Sequence, residues 1–349
     1  MKPICSTSLA VVLLLSATGA ALGQAVDQLA KRPVVYVTMV SHFDRPWTMA
    51  ANDLDALRNL TKNHPQMRWT HLYNPVTYTT PTPLREQMEA YVKESRDEHG
   101  AEIGVHLHMY RTFVESAGVK YRTRPSVSAK QAKGSMDPSG YSVPMSAYDG
   151  DEISRMLEFT LSKFKERELG VPGTFCAGFY TTSLELQKRI VAAGYTASAA
   201  AFPTGREIGA QYAPSWHELS GWNDSVTIRS TPYRVSQKTI LPTGTAPYLR
   251  AADGKPLVEI PQNAKIDWMV SAQDMKQIIN MHIEQAEKGK PTAVCLAIHE
   301  GSAHEHFRKY DAVLDHVDWM IRENKKVAVH YATVATVRKQ FLRSWGLAR

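Results

Sequence analysis

Cysteine is scarce in this sequence, which contains three cysteines among its 349 residues. Cys5 lies in an apolar N-terminal segment, and the residues before it do not resemble a lipidation signal. Cys176 and Cys295 remain, and each lies in an apolar stretch that resembles a buried strand, where free cysteine is common. Two cysteines can form at most one disulfide, and their spacing does not predict whether they do.

Long apolar runs are absent after the N-terminal stretch. That stretch has a positive charge at Lys2, an apolar run over residues 9–22 and a small-residue cleavage site at residues 21–23. Because the run is too short to span a bilayer comfortably, we expect residues 1–25 to be a cleaved signal peptide and the protein to be secreted or periplasmic. Residues 26–349 are then expected to form one domain without a membrane span.

The sequence also lacks a dense block of basic residues, internal repeats and low-complexity segments. Its formal net charge of +7 is spread along the chain, so nucleic acid is not an expected partner. This charge is explained either by solubility alone or by attraction to an acidic glycan or cell-wall polymer. No obligate protein partner is indicated. Hydrophobic residues make up 43% and charged residues 21%, a balance typical of a globular protein with a large core.

Short apolar runs alternate with amphipathic segments along the rest of the chain, which predicts a parallel α/β sheet. Strands are predicted at residues 34–40, 68–73, 102–108, 173–177, 195–201, 257–261, 293–299 and 327–330. Helices are predicted at residues 52–62, 83–98, 149–169, 183–193, 274–288, 309–323 and 334–345. Residues 112–147 are predicted to be a functional loop over the site or a mobile loop. The pattern favours one α/β barrel with loops on its carboxyl face.

Two histidines two residues apart close one of these apolar runs. Because residues i and i+2 of a strand project from the same face, His106 and His108 are expected to point together. The carboxyl ends of parallel strands are where functional sites collect. Neutral imidazole nitrogens suit zinc and similar divalent ions, so we interpret this pair as metal ligands.

A second pair, His42 and Asp44, follows the first predicted strand with the same spacing. Asp44 is a candidate metal ligand or general base, and His42 is a candidate ligand. The alternative is a polar loop that caps the next helix. Aromatic rings stack well on sugar rings, so Trp47 and Tyr110 are candidate substrate-binding residues, although Trp47 could equally be a core anchor.

His299 and Glu300 end the strand predicted at residues 293–299. His299 closes an apolar run and is therefore expected at the same edge of the sheet. A histidine with a pKa near neutrality can donate a proton, which makes His299 a candidate general acid and Glu300 a candidate catalytic carboxylate. A solvated polar loop is the alternative for this stretch.

The order of these segments resembles the NodB-like polysaccharide deacetylases, which belong to the wider glycoside hydrolase/deacetylase barrel group. The resemblance is carried by residues 102–108, 173–178, 193–195, 257–261 and 296–299, which together span most of the chain after the signal segment. It implies a distorted, seven-stranded (β/α) barrel. It also implies a metal held by the histidine motif His106-Leu107-His108 and a general-acid role for His299.

The sequence departs from that family at two positions. The family has paired aspartates after the first strand, whereas this chain has Asp44 followed by Arg45. Cys176 stands where the family has an arginine. The segment 41–47 resembles instead the His-x-Asp metal motif of α-mannosidase-type hydrolases of the same barrel group.

These features predict an exported, metal-dependent deacetylase that removes N- or O-acetyl groups from a neutral or acidic polysaccharide, with zinc as the preferred ion. One alternative is a metal-dependent glycoside hydrolase, which needs catalytic carboxylates for which Glu259 and Glu300 are the candidates. Another alternative is a glycan-binding protein that has lost its chemistry.

Overall fold

The computed structural model describes residues 32–128 and 136–347. The expected signal peptide, residues 1–25, and part of the predicted loop lie outside the described residues. The strands are β1 (Val34–His42), β2 (Trp69–Tyr73), β3 (Glu102–Leu107), β4 (Thr174–Ala177), β5 (Ala197–Ser198), β6 (Tyr233–Arg234), β7 (Val258–Glu259), β8 (Thr292–His299) and β9 (Ala328–Tyr331). The α-helices are α1 (Ala51–Asn63), α2 (Arg85–His99), α3 (Arg111–Ser116), α4 (Gly150–Glu166), α5 (Leu184–Ala192), α6 (Pro214–Leu219), α7 (Ala272–Glu287), α8 (Ala303–Glu323) and α9 (Val334–Ser344).

The strands of the described residues form one nine-stranded sheet in the order β6-β7-β5-β4-β3-β2-β1-β8, and β9 also pairs with β1. Neighbouring strands run parallel except for the antiparallel pair of β6 and β7. A parallel bridge between Ile266, which follows β7, and Ala297 of β8 joins the two ends of the sheet. The predicted distorted (β/α) barrel is therefore confirmed, although the sheet has more strands than the seven that the resemblance implied.

β1 lies next to β8 at one end of the strand order and is paired along both edges. β8 pairs with it over Val35–His42, so His42 and His299 lie opposite each other at the end of the two strands. Val35, Val37 and Met39 are fully buried. A parallel strand that is covered on both faces is expected to read as such a continuous apolar run. This pairing fixes where the polar residues after β1 and β8 meet.

Capping residues account for several helix boundaries. Asp149 accepts the N–H groups of Asp151 and Glu152 at the start of α4, while Glu152 accepts the N–H of Asp149. Gly100 ends α2 with φ +65°, a left-handed conformation that glycine adopts without steric cost.

The segments that the sequence pattern did not predict are short. They are α3, α6 and β6, none of which is long enough to show a hydrophobic period. α8 begins at Ala303, whereas the sequence pattern predicted a start at residue 309. The prediction missed the first turns of this helix because their charged and histidine side chains resemble a polar loop.

Cys176 and Cys295 are both buried and both free, so the two cysteines of the described residues form no disulfide. Among the described residues, no helix combines the length and the apolar character needed to cross a membrane.

A buried carboxyl group at the end of β7 makes folding stability depend on pH. Glu259 is fully buried and accepts the N–H groups of Ala200 and Ala201 at 2.8 and 2.7 Å. Burial raises the pKa of Glu259 to about 7. Since the folded pKa lies above the unfolded value, the protonated form favours folding. The stability contributed by this group is fully present at acidic pH and is lost as the pH rises through 7.

Between pH 4.5 and 7.5, we therefore expect the unfolding free energy of the wild type to fall by about 3 kcal/mol more than that of Glu259→Gln. Denaturant titrations across this pH range measure the effect, with the exposed Glu284→Gln as the matched control. The same pH dependence in wild type and Glu259→Gln would contradict the expectation.

Candidate metal centre and active site

Asp44 and three histidines converge at the carboxyl end of the barrel. His106 lies in β3 and His108 follows two residues later, and their ring centroids are 4.8 Å apart. Asp44 comes two residues after β1, and His299 is the last residue of β8. The parallel pairing of β1 with β8, and of β3 with the strands beside it, brings these strand ends to one edge. The two histidines therefore point together, as their spacing predicted.

The carboxylate of Asp44 lies among the three imidazole rings. Its Oδ1 is 2.7 Å from Nε2 of His106, and its Oδ2 is 3.3 Å from Nε2 of both His108 and His299. Tyr141 donates its hydroxyl to Oδ2 at 2.9 Å. Burial by itself raises the pKa of Asp44, but the neighbouring histidines lower that pKa well below its usual value. The group is therefore an ionised carboxylate.

Hydrogen bonds to the backbone fix the tautomers of His106 and His108. Nδ1 of His106 is 3.0 Å from the carbonyl oxygen of Cys176, and Nδ1 of His108 is 2.7 Å from that of Tyr141. A carbonyl oxygen only accepts, so each Nδ1 carries a proton. Burial lowers the pKa of His106, which keeps its ring neutral. Its Nε2 therefore presents a lone pair.

This arrangement fits a metal ion. Nε2 of both histidines and Oδ1 of Asp44 are buried without a hydrogen-bond partner among the described residues. Two histidine nitrogens and a carboxylate oxygen that face one another without a hydrogen bond form an arrangement that a cation held among them would stabilise. Asp44, His106 and His108 thus form a group that can hold a metal, with nitrogen and oxygen donors that suit zinc. The bonds from Nδ1 to the carbonyls orient the rings as metal-ligating histidines require.

His299 is held on its other side by Asp267, which the sequence analysis did not identify. Nδ1 of His299 donates to the Asp267 carboxylate at 2.9 Å, and its backbone N–H donates to the same group at 2.7 Å. Burial by itself lowers the pKa of His299, but the carboxylates of Asp267 and Asp44 outweigh it and raise that pKa well above the usual value. His299 is thus an imidazolium whose Nε2–H points to the centre of the site.

His42 lines the same cavity. It is not part of that group of three, but together with His106 and Cys176 it forms a second group that could hold a metal. Its Nε2 is 2.9 Å from Oε1 of Gln262, an acceptor, so Nε2 carries the proton. Burial lowers the pKa of His42 well below its usual value, so the ring is neutral. Nε2 of Gln262 donates to the Ala199 carbonyl and lies 3.7 Å from Sγ of Cys176. Only Nδ1 of His42 is left to act on a ligand.

The two carboxylates proposed as glycosidase groups are tied to backbone N–H groups. The oxygens of Glu300 accept the N–H groups of Asp44 and Arg45, each at 3.0 Å. Burial, together with Asp44, raises the pKa of Glu300 to about 8. Glu300 therefore braces the loop that carries Asp44. Glu259 is fully buried and does not line the cavity.

Aromatic rings form most of the remaining wall of the cavity, whose volume is about 70 Å³. The lining residues are His42, Asp44, His106, Tyr141, Phe179, Tyr180, Tyr212, Trp268 and His299. Trp47 and Tyr110, the rings expected to bind substrate, are not among them. Trp47 packs edge-on against Tyr110, and Tyr110 stacks on Tyr141, so both rings lie behind Tyr141.

Two lining residues have a strained backbone. Phe179 and Tyr180 have φ values of +53° and +56°, a conformation that is costly for large side chains. The indole N–H groups of Trp216 and Trp222 donate to their carbonyl oxygens at 2.6 and 2.7 Å. The tryptophans thus hold a turn that sets both aromatic rings on the cavity wall. Strain held by its surroundings in this way is typical of functional sites.

Several residues of the site carried no usable signal in the sequence. Asp267 follows Ile266 outside any predicted strand, and only its place after an apolar residue hints at a strand-end role. Tyr141 lies in the loop predicted over residues 112–147 and reaches Asp44 from there, but the sequence does not say which loop residue does so. Gln262 follows the predicted strand 257–261 and looks like an ordinary polar residue.

A comparison with protein-family models finds no match, and a comparison with curated protein sequences finds none. Solved structures do match. A candidate polysaccharide deacetylase from Mycobacterium smegmatis is 11% identical, with a TM-score of 0.52 over 90% of this chain and 92% of that one. A candidate glycoside hydrolase/deacetylase from Parabacteroides distasonis is 11% identical, with a TM-score of 0.54 over 90% and 72%.

A candidate polysaccharide deacetylase from Pseudomonas aeruginosa PAO1 is 13% identical, with a TM-score of 0.50 over 89% of this chain and 92% of that one. At such identities the likeness concerns the fold. It agrees with the segment order that the sequence analysis found. The chain therefore has the distorted (β/α) barrel fold of the NodB-like polysaccharide deacetylases.

Proposed function

We propose that this protein is an exported, metal-dependent hydrolase that removes acetyl groups from a carbohydrate. The observation that carries the proposal is the group of Asp44, His106 and His108, whose unpartnered donor atoms face one another in the wall of a small cavity. The shared fold with candidate polysaccharide deacetylases supports the choice of reaction.

In this proposal Asp44, His106 and His108 hold the metal, and zinc is the preferred ion because two donors are imidazole nitrogens. The chemistry that a bound divalent ion supplies is Lewis-acid activation of a carbonyl group and of water. Tyr141 orients Asp44 through its hydrogen bond to Oδ2. Glu300 orients the same loop through the backbone, which is a positioning role rather than the catalytic role first expected for it.

His299 is the proposed general acid. Its Nε2 lies 3.3 Å from Oδ2 of Asp44, and the residue lines the cavity in which the acetyl group would be placed. Asp267 accepts the Nδ1 proton and thereby keeps the other proton on Nε2, where it can pass to the leaving amine or alkoxide. Lys309 donates to the Asp267 and Val270 carbonyl oxygens and so holds the turn that carries Asp267.

A proton acceptor is also required, and Asp44 cannot comfortably serve as both ligand and base. His42 is the remaining neutral nitrogen base in the cavity lining. With Nε2 occupied by Gln262, Nδ1 can accept a proton from the attacking water. This assignment replaces the ligand role that the sequence predicted for His42.

Acetate release from acetylated oligosaccharides tests the proposal. Purified protein supplied with zinc is expected to release acetate from a peracetylated xylo- or chito-oligosaccharide. His42→Ala is expected to keep its metal but to lose about 10²–10⁴ of the rate. Release of a shortened sugar instead of acetate would contradict the deacetylase assignment. Loss of metal from His42→Ala would show that His42 is a metal ligand rather than the base.

A further inference from the structure

A second cavity of about 270 Å³ adjoins the site. It shares four lining residues with the first cavity: Asp44, Tyr141, Trp268 and His299. Its other walls come from the turn after β1 and from the turn between β8 and α8. The two cavities therefore meet at Asp44 and His299.

Arg45 is a cation at the edge of this second cavity. Its guanidinium carbon lies 4.2 Å from the centroid of the Tyr141 ring, and the hydroxyl of that ring is bonded to Asp44. The side chain is exposed, its neighbours include the Tyr110 hydroxyl and Asp44, and no ion pair between it and a carboxylate is found among the described residues. Stacking on a ring that is itself fixed holds the guanidinium near the site and reduces the entropy lost on binding.

The carboxylates that line this cavity are already engaged. Asp44 is surrounded by imidazoles and the Tyr141 hydroxyl, and Glu300 accepts two backbone N–H groups. The turn that carries Ser302 leads into the amino-terminal end of α8, which adds a positive partial charge to the same wall. The remaining charge on the walls of this cavity, which a bound ligand would contact, is thus positive. Trp268 is 53% exposed and offers its ring to a sugar face.

We propose that Arg45 and this second cavity bind an anionic group of the substrate, namely the carboxylate of a uronic acid or a phosphate ester on a sugar near the acetylated one. The proposal rests on the proposed function and names its substrate class as an acidic glycan. A guanidinium binds either anion through two parallel hydrogen bonds. The net charge of +7 acts in the same direction by attracting polyanions.

Calorimetric binding at low ionic strength tests this proposal without requiring any reaction. The probes are trigalacturonate, neutral maltotriose and glucose 6-phosphate, and the proteins are wild type, Arg45→Gln and Arg58→Gln. Arg58 is a matched control, because it also lies over a tyrosine, Tyr91, at the lip of a different cavity. The wild type is expected to bind an anionic probe about tenfold more tightly than maltotriose, a preference that Arg45→Gln abolishes and Arg58→Gln keeps.

Preference for trigalacturonate identifies a uronate, and preference for glucose 6-phosphate identifies a phosphate ester. Equal affinities for charged and neutral probes, or an anion preference that survives in Arg45→Gln, would overturn the proposal. Because the probes carry no acetyl group, failure of this test is distinguishable from failure to release acetate.

Discussion

Replacing Asp267 with asparagine should reduce kcat for acetate release by about 10²–10⁴ while KM and bound metal stay nearly unchanged. Asp267 is 1% exposed, and its carboxylate accepts both the ring Nδ1–H and the backbone N–H of His299. An asparagine keeps the size of the side chain but removes the negative charge that holds the imidazolium. It also offers an N–H group to Nδ1, which favours a neutral ring that carries its proton on Nε2 alone and is a weaker acid than the imidazolium.

The chain contains a matched control for this variant. Asp53 is equally buried and makes the same two contacts with another histidine, since it accepts the ring Nδ1 and the backbone N–H of His304. Asp53→Asn is expected to lower stability without a comparable loss of kcat. Equal losses of kcat in the two variants would mean that Asp267 acts only through the fold.

Replacing Gly178 with alanine should displace His108 and weaken metal binding by about 10–100-fold, with a matching loss of activity. An added Cβ at residue 178 would lie 2.4 Å from Nδ1 and 2.6 Å from Cε1 of His108. These distances are too short for any non-bonded contact, so the ring must move. Its bond to the Tyr141 carbonyl and its approach to Asp44 would then be lost.

Competition with a zinc indicator dye measures the affinity of the Gly178→Ala variant, and thermal unfolding checks that it is folded. Gly205→Ala is the control, because a Cβ at that position meets no atom within 4 Å. Excess zinc should restore part of the activity of Gly178→Ala. An unchanged affinity for zinc would show that His108 is not a ligand.

The sequence predicted the positions of those site residues that are determined by a single strand. The spacing of His106 and His108 is a property of a single strand, and the apolar runs before Asp44 and His299 place both residues at strand ends. Because parallel strands end at one edge, these four residues could be expected to meet. Their meeting needed no knowledge of loop conformation.

The parts that the sequence did not locate depend on loops and on side-chain direction. Asp267 reaches His299 from the irregular segment after β7, and Tyr141 reaches Asp44 from 97 residues away along the chain. Glu300 follows a strand end as a catalytic carboxylate would, but its oxygens bind backbone N–H groups. Trp47 lies near the site in sequence and behind Tyr110 in space. Hydrophobic periodicity carries no information about such contacts.

Metal content is the most direct test of the proposed centre. The purified wild-type protein should contain about one divalent ion per chain, and His106→Ala/His108→Ala should contain none. The control is His304→Ala/His306→Ala, which removes another pair with the same spacing from the first turns of α8. That control should keep the ion. A wild type that binds no added divalent ion, or a site variant that retains it, would contradict the account.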